Sequence, residues 1–214
     1  VPGPPHLPDL TPNPLFAVPA SRDRLERARD ALNQNHIATE IMSDRAAAKA
    51  AVLALVPEGA EVHIALSETM RELGVTDELE GSGRYRAIRP QLNQLDRATQ
   101  RREMAKLATA PDFMLGSVHG VTEDGYLVIA SGSGSQLAPY SSGAGTLILV
   151  AGAQKVVRDV EEGLRRVREY SYPLEDARMK SLGHPGTILA QTLVMYWAPP
   201  GRVHLFLLEE PIGF

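Results

Sequence analysis

TLILVAG (146–152) and HLFLL (204–208) are nearly continuous apolar runs. Runs of this length without a polar break predict strands buried on both faces, as in a parallel sheet covered by helices. IATEIM (37–42) alternates apolar and polar positions, and AEVHIAL (60–66) is mostly apolar, so both predict strands. DFMLGSV, GVTE and YLVIAS follow as further strands, and YRAIRP as a short one. Between them the period changes to that of helices. SRDRLERARDALNQN opens on Ser21 as a cap, SDRAAAKAAVLALV on Ser43, and SETMRELG on Ser67 with Gly74 as its stop. QLNQLDRATQRREMAKLA carries Leu92, Leu95, Met104 and Leu107 near one face, and QKVVRDVEEGLRRVREY is patterned as one continuous helix. Strand–helix alternation predicts an α/β fold, a mainly parallel central sheet with helices on both faces. Leu147–Val150 and Leu205–Leu208 should lie in its core.

Residues 1–20 hold seven prolines (Pro2, Pro4, Pro5, Pro8, Pro12, Pro14, Pro19). They predict an extended, poorly packed arm, removable at little cost in stability. Residues 21–214 then form a single α/β domain. Hydrophobic residues are 43% of the 214, enough to build a core. The net charge is −4 with no basic block, which disfavours nucleic acid and anionic membranes but leaves room for a small anion. The chain has no cysteine, so disulfides, thiolate nucleophiles and cysteine-held zinc or iron–sulfur clusters are excluded within it. No stretch approaches the ~20 apolar residues of a membrane span, and the N-terminal stretch is not a signal peptide. These features predict a soluble, cytoplasmic protein.

Three stretches are candidate sites. In IALSETMRELG a strand runs into a helix start, which aims backbone N–H groups at one spot and adds the hydroxyls of Ser67 and Thr69. The plain alternative makes Ser67 only an N-cap. In HGVTEDGYLV the pair Asp124–Gly125 suffices for a hairpin turn. Glu123 has no such duty, and it stands four residues after His119. A catalytic Glu123 beside His119, facing the same cleft as Ser67–Thr69, competes with a solvated turn. SGSGSQ offers Gly132, Ser133, Gly134 and Ser135 as a hydroxyl-rich loop that could fold over an anion, or simply lie on the surface. It lacks the spacing of a dinucleotide fingerprint. No histidine pair has helical ligand spacing, so a metal site is not predicted. His63 and His204 sit in apolar strands as core histidines, while His184 in LGHPG borders a loop. Arg97, Arg101 and Arg102 read as a solvated helix face.

The order of PDFMLGSVHGVTEDGYLVIASGSGS, TLILVAGAQKVVRDVEEGLRRV and PPGRVHLFLLEE resembles the lactate-utilization (LUD) domain family, in particular lactate-utilization protein C. The shared pattern is a strand, a T-E-[DT]-G turn, a strand, a glycine-bearing loop, an apolar strand and a K-V-V-x-D segment. It covers most of the chain from about Arg24 onward. The resemblance implies the fold shared by CoA transferases, ribose-5-phosphate isomerase and glucosamine-6-phosphate deaminase. It also implies an accessory role in oxidising L-lactate to pyruvate, beside iron–sulfur and oxidoreductase subunits, with a small anionic metabolite as ligand. Any iron–sulfur cluster would then sit in the partner subunits. Two departures stand out: the chain lacks the C-terminal cysteine cluster of some relatives, and SQLAPYSSG has no arginine after the glycine loop. The alternative is a free-standing CoA transferase or sugar-phosphate isomerase. In it Glu123 would act as the nucleophilic carboxylate, as in the E-x-G turn of CoA transferases.

Overall fold

The computed structural model of the chain describes residues 11–214. Its centre is a six-stranded sheet of β1 (Ile37–Met42), β2 (Glu61–Ile64), β3 (Arg86–Ala87), β4 (Phe113–Ser117), β7 (Thr146–Gly152) and β10 (Val203–Leu208). The spatial order is β1-β10-β7-β4-β2-β3, and every pairing is parallel. A smaller sheet is ordered β8-β5-β6-β9, from β5 (Gly120–Thr122), β6 (Leu127–Ser131), β8 (Val156–Val157) and β9 (Gln191–Met195). Its hairpin β5–β6 is antiparallel, turning at Asp124–Gly125 with Gly125 at φ 92°.

The unbroken apolar runs have the expected cause. Along β7, Leu147, Leu149 and Ala151 pack with Leu25, Ala28 and Leu32 of α1 (Arg22–Gln34). The alternate residues Ile148 and Val150 pack with Ala48 and Val52 of α2 (Arg45–Leu55) and Met70 of α3 (Glu68–Leu73). In β10, Leu205 and Leu207 face the first cluster while Phe206 and Leu208 face the second. Both central strands are thus buried on two sides, each large side chain contributing ~1.5–3 kcal/mol.

Four local expectations change. The cap of α2 is Asp44, whose carboxylate accepts from Ala47 N at 2.8 Å, rather than Ser43. The stretch 91–108 is not one helix. It divides into α5 (Ile88–Leu92) and α6 (Arg101–Thr109) because Asp96 accepts from Ala98 N and Thr99 Oγ1 and closes a local turn instead. The stretch 154–170 is not one helix either. Val156 and Val157 pair with β5, and Asp159 caps α7 (Val160–Arg166). Two adjacent β-branched residues favour the strand over a helix.

The fourth change concerns the arm. Its first ten residues lie outside the described ones. The rest is docked rather than loose: Pro14–Ala17 form a 3₁₀ turn, Phe16 is buried, and Asn13 is tied to Glu169 through both backbone and side chain. Ala20 N donates to Ala153 O at 3.1 Å. An apolar side chain and a capping asparagine outweigh the local proline content there.

Candidate functional site

A cleft of about 970 Å³ opens at the carboxyl ends of β2, β4 and β7, the edge where parallel α/β sheets gather ligands. The three strand ends deliver Ser67–Thr69, Ser117 and Lys155 to it. Behind β7 the chain makes a short 3₁₀ turn, Ala153–Lys155, which swings Lys155 back over the sheet edge. Lys155 is 1% exposed, yet its Nζ lines the cleft floor. It donates to Thr69 Oγ1 at 2.9 Å and Ser117 Oγ at 3.0 Å. Among the described residues no carboxylate lies within ion-pairing distance of it. Burial, and then the Arg166 charge, push the Lys155 amine well below its ordinary range, against a smaller opposing pull from the more distant Glu72 carboxylate.

Ser117 is held in place by Tyr140. The buried phenol accepts from Ser117 N at 3.1 Å and donates to Ser117 O at 3.3 Å. Gly116 makes room for it, since a Cβ there would stand 1.7 Å from Tyr140 Oη. Tyr140 sits in a π-helical turn, Pro139–Gly143, and a second such turn, Val167–Ser171, places Ser171 on the opposite wall. Such turns recur beside functional sites. The C-terminal tail closes one side: Gln154 Nε2 donates to the carbonyls of Ile212 and Gly213, and Phe214 reaches the cleft.

His119 follows β4 and lines the wall. Its Nδ1 accepts from Ala130 N at 3.1 Å, so the neutral ring carries its proton on Nε2. Burial, with Lys155 and Arg166 nearby, pushes its pKa down to about 3. Arg166 is fully buried and braces this region, donating to Gln154 O, His119 O and Ser171 Oγ. His63, down at about 4 through burial and then Arg89, is a second neutral imidazole on the wall.

The structure brings most of the sequence candidates together. Ser67, Thr69, His119 and the loop Gly132, Ser133, Gly134 and Ser135 all line the one cleft. The loop is ordered by Ser131, whose Oγ donates to Gln136 and accepts from Gly134 N. The helix after Ser67 is short, at six residues, and Ser67 makes no capping hydrogen bond with its side chain. Glu123 is not among the cleft residues, and the expectation that it faces Ser67–Thr69 is corrected. Its carboxylate is held by Arg24 at 2.5 Å and Arg27 at 2.7 Å, both on α1, which crosses the back of the small sheet's turn. Partial burial pushes its pKa up, but the hydrogen bonds from the two arginines outweigh this and the net shift is downward. His204 hydrogen-bonds Gly201 O at 3.3 Å, and neither it nor His184 lines the cleft.

Sequence reasoning missed Lys155, Ser117, Tyr140 and the arginines of the cleft. The two cleft carboxylates, Glu68 and Glu175, are both engaged by Arg178 at 3.6 and 2.7 Å. Arg97, Arg101 and Arg102 are exposed, in keeping with the solvated face read from sequence, and the first two also line the cleft whereas Arg102 does not. Among the described residues, no group of His, Asp or Glu is arranged to hold a metal ion, and no helix is long and apolar enough to cross a membrane.

A DUF162 family protein of known crystal structure, from Deinococcus radiodurans, is similar over 89% of this chain and 99% of its own. The identity is 14% and the TM-score 0.47. No curated protein matches the chain. The family model of the LUD domain matches residues 25–208, from α1 to the end of β10, and the chain belongs to the LUD domain family.

Proposed function

We propose that this chain is an accessory subunit of a lactate-oxidising system, and that its cleft binds a small 2-hydroxy or 2-oxo acid beside Lys155. The observation that carries the reading is the buried Lys155 amine, held by two hydroxyls in a cleft with no carboxylate within ion-pairing distance among the described residues. A buried amine without a counter-charge is costly in its charged form. An acid arriving beside Nζ supplies that charge and favours the ammonium. Thr69 and Ser117 fix the nitrogen from the protein side, and Nε2–H of His119 adds a neutral donor on the wall.

LUD-family membership supports the lactate context. The 214 residues contain no cysteine, so electron-carrying iron–sulfur clusters would belong to partner subunits. The chain's part would be to bind and position the acid next to an oxidoreductase partner, in the cytoplasm. A free-standing transferase or isomerase built on Glu123 is disfavoured, because two arginines already neutralise that carboxylate outside the cleft.

Calorimetry and thermal shift with L-lactate and pyruvate test the reading. Ligand at 100 times its dissociation constant should stabilise the protein by about 2.7 kcal/mol. Lys155→Met should remove the response. Absence of binding by both acids to the wild-type chain would overturn the proposal.

A further inference from the structure

The cleft is larger than a three-carbon acid requires. Its 970 Å³ lies near the top of the ~300–1,000 Å³ range of clefts that take ligands of drug size. Its charge is also unevenly answered. Many of the arginines are ion-paired, among them Arg22, Arg45, Arg84, Arg86 and Arg158. Arg89, Arg97 and Arg101 are different. They line the same cleft, and among the described residues none has a carboxylate within ion-pairing distance. Arg89 is half-buried and anchored by donating from Nη2 to Ile64 O at the end of β2. The charges of Glu80 and, more weakly, of Arg97 act on Arg89 from beyond ion-pairing distance. The Asp96 turn that interrupts the helix at this point is what presents Arg97 and Arg101 here. Arg89 is half-buried and Arg97 and Arg101 are exposed, so an anion entering the cleft from solvent meets three guanidiniums that hold no carboxylate within ion-pairing distance among the described residues.

The position of this group is set by the sheet. Arg89 hangs on the end of β2, while the Lys155 amine reaches Ser117 at the end of β4 and Thr69 on the helix after β2. The guanidinium fork matches phosphate oxygens two at a time, which a lysine cannot do.

We infer that Arg89, Arg97 and Arg101 form a phosphate subsite at the β2 side of the cleft, which takes the phosphate or diphosphate of a larger organic ligand. This inference does not depend on the identity of the acid at Lys155. It adds a second anionic group to what the cleft can hold at once.

Titration with inorganic phosphate and with pyrophosphate, followed by calorimetry, tests it. Tighter binding of pyrophosphate would assign the subsite to a diphosphate, and equal or tighter binding of phosphate to a monophosphate ester. The double variant R97Q/R101Q should weaken the preferred anion roughly tenfold or more. The double variant R158Q/R168Q removes the same charge outside the cleft and should leave binding as in the wild type. A melting curve for each variant reports folding, and R89Q serves as the second probe if R97Q/R101Q does not fold. No binding of either anion, or the same loss in both double variants, would overturn the inference. Loss of lactate or pyruvate binding alone would bear only on the acid at Lys155.

Discussion

Two short turns carry the most suggestive charged residues of this protein, and they differ in one respect. Glu123 follows β5, and Lys155 follows β7. Glu123 is met by Arg24 and Arg27, so its charge is answered within the chain. Lys155 is more deeply buried and, among the described residues, its amine is hydrogen-bonded by the hydroxyls of Thr69 and Ser117 and ion-paired by no carboxylate. An answered charge is a structural element, one of the many surface pairs that contribute ~0–1 kcal/mol. A buried charge left unanswered inside a cleft is a demand for a ligand. The comparison therefore moves the centre of the candidate site from the carboxylate to the amine.

The sharpest way to break the comparison is Lys155→Met. It should abolish binding of lactate and pyruvate while the melting temperature stays level or rises. Replacing a buried, unpaired amine by an apolar chain of similar length is often neutral or stabilising. Ser117 Oγ also keeps Val150 O at 2.7 Å as an acceptor. A strongly destabilised but still acid-binding variant would make Lys155 a structural tie like Glu123.

Gly116→Ala should have the next largest effect. Its methyl would collide with Tyr140 Oη, and overpacking of this kind costs about 1–3 kcal/mol. Because Tyr140 clamps Ser117 through both backbone groups, acid binding should fall along with stability. Chemical denaturation and calorimetry on the same sample separate the two effects, and unchanged binding would show that the clamp does not position Ser117.

Acid titration separates the two regions by sign. His119 and His63 have folded pKa values near 3 and 4, below the ~6.5 of an unfolded histidine. The unfolded chain takes up protons first, so stability should fall from about pH 6.5 downward toward these values. His119→Gln should flatten that slope. Glu123 also has a lowered folded pKa, so its stabilisation is present above the unfolded carboxylate value of ~4.3 and is lost only below it. A stability curve that is flat between pH 6.5 and 5 would contradict the burial of the histidines.

The smallest effect belongs to Glu123→Gln. It removes two ion pairs with half-exposed partners and should cost no more than about 1 kcal/mol. Binding of acid or phosphate should be unchanged. A loss of binding without a loss of stability would return Glu123 to the site.

The fold was largely legible because its signals are local and periodic. TLILVAG and HLFLL read as strands covered on both faces, and each does send alternate residues into two different helix-lined clusters. The resemblance carried by the TEDG turn and its neighbouring strands agrees with the family match over residues 25–208. The site was legible in His119, the Ser67–Thr69 turn and the Gly/Ser loop, the last two because hydroxyls and glycines between strands and helices announce a turn whatever surrounds it. Lys155 was hidden inside a stretch patterned as a single helix, where a lysine reads as one more solvated position. Glu123 was conspicuous for the opposite reason. Its sequence neighbourhood gives no sign of Arg24 and Arg27, which stand about a hundred residues earlier in the chain.

The sequence by itself determined the strands of the central sheet, which of them pass through the core, and which family the chain resembles, since each depends on hydrophobic period and residue order; it did not show β8 and β9 of the smaller sheet. Only the tertiary structure decided which charges are neutralised and which are left open. Ion pairing depends on what arrives from distant parts of the chain. A parallel sheet assembles its strand ends β2, β4 and β7 from segments far apart in sequence, so Lys155, Ser117 and Thr69 become neighbours only once the sheet has formed.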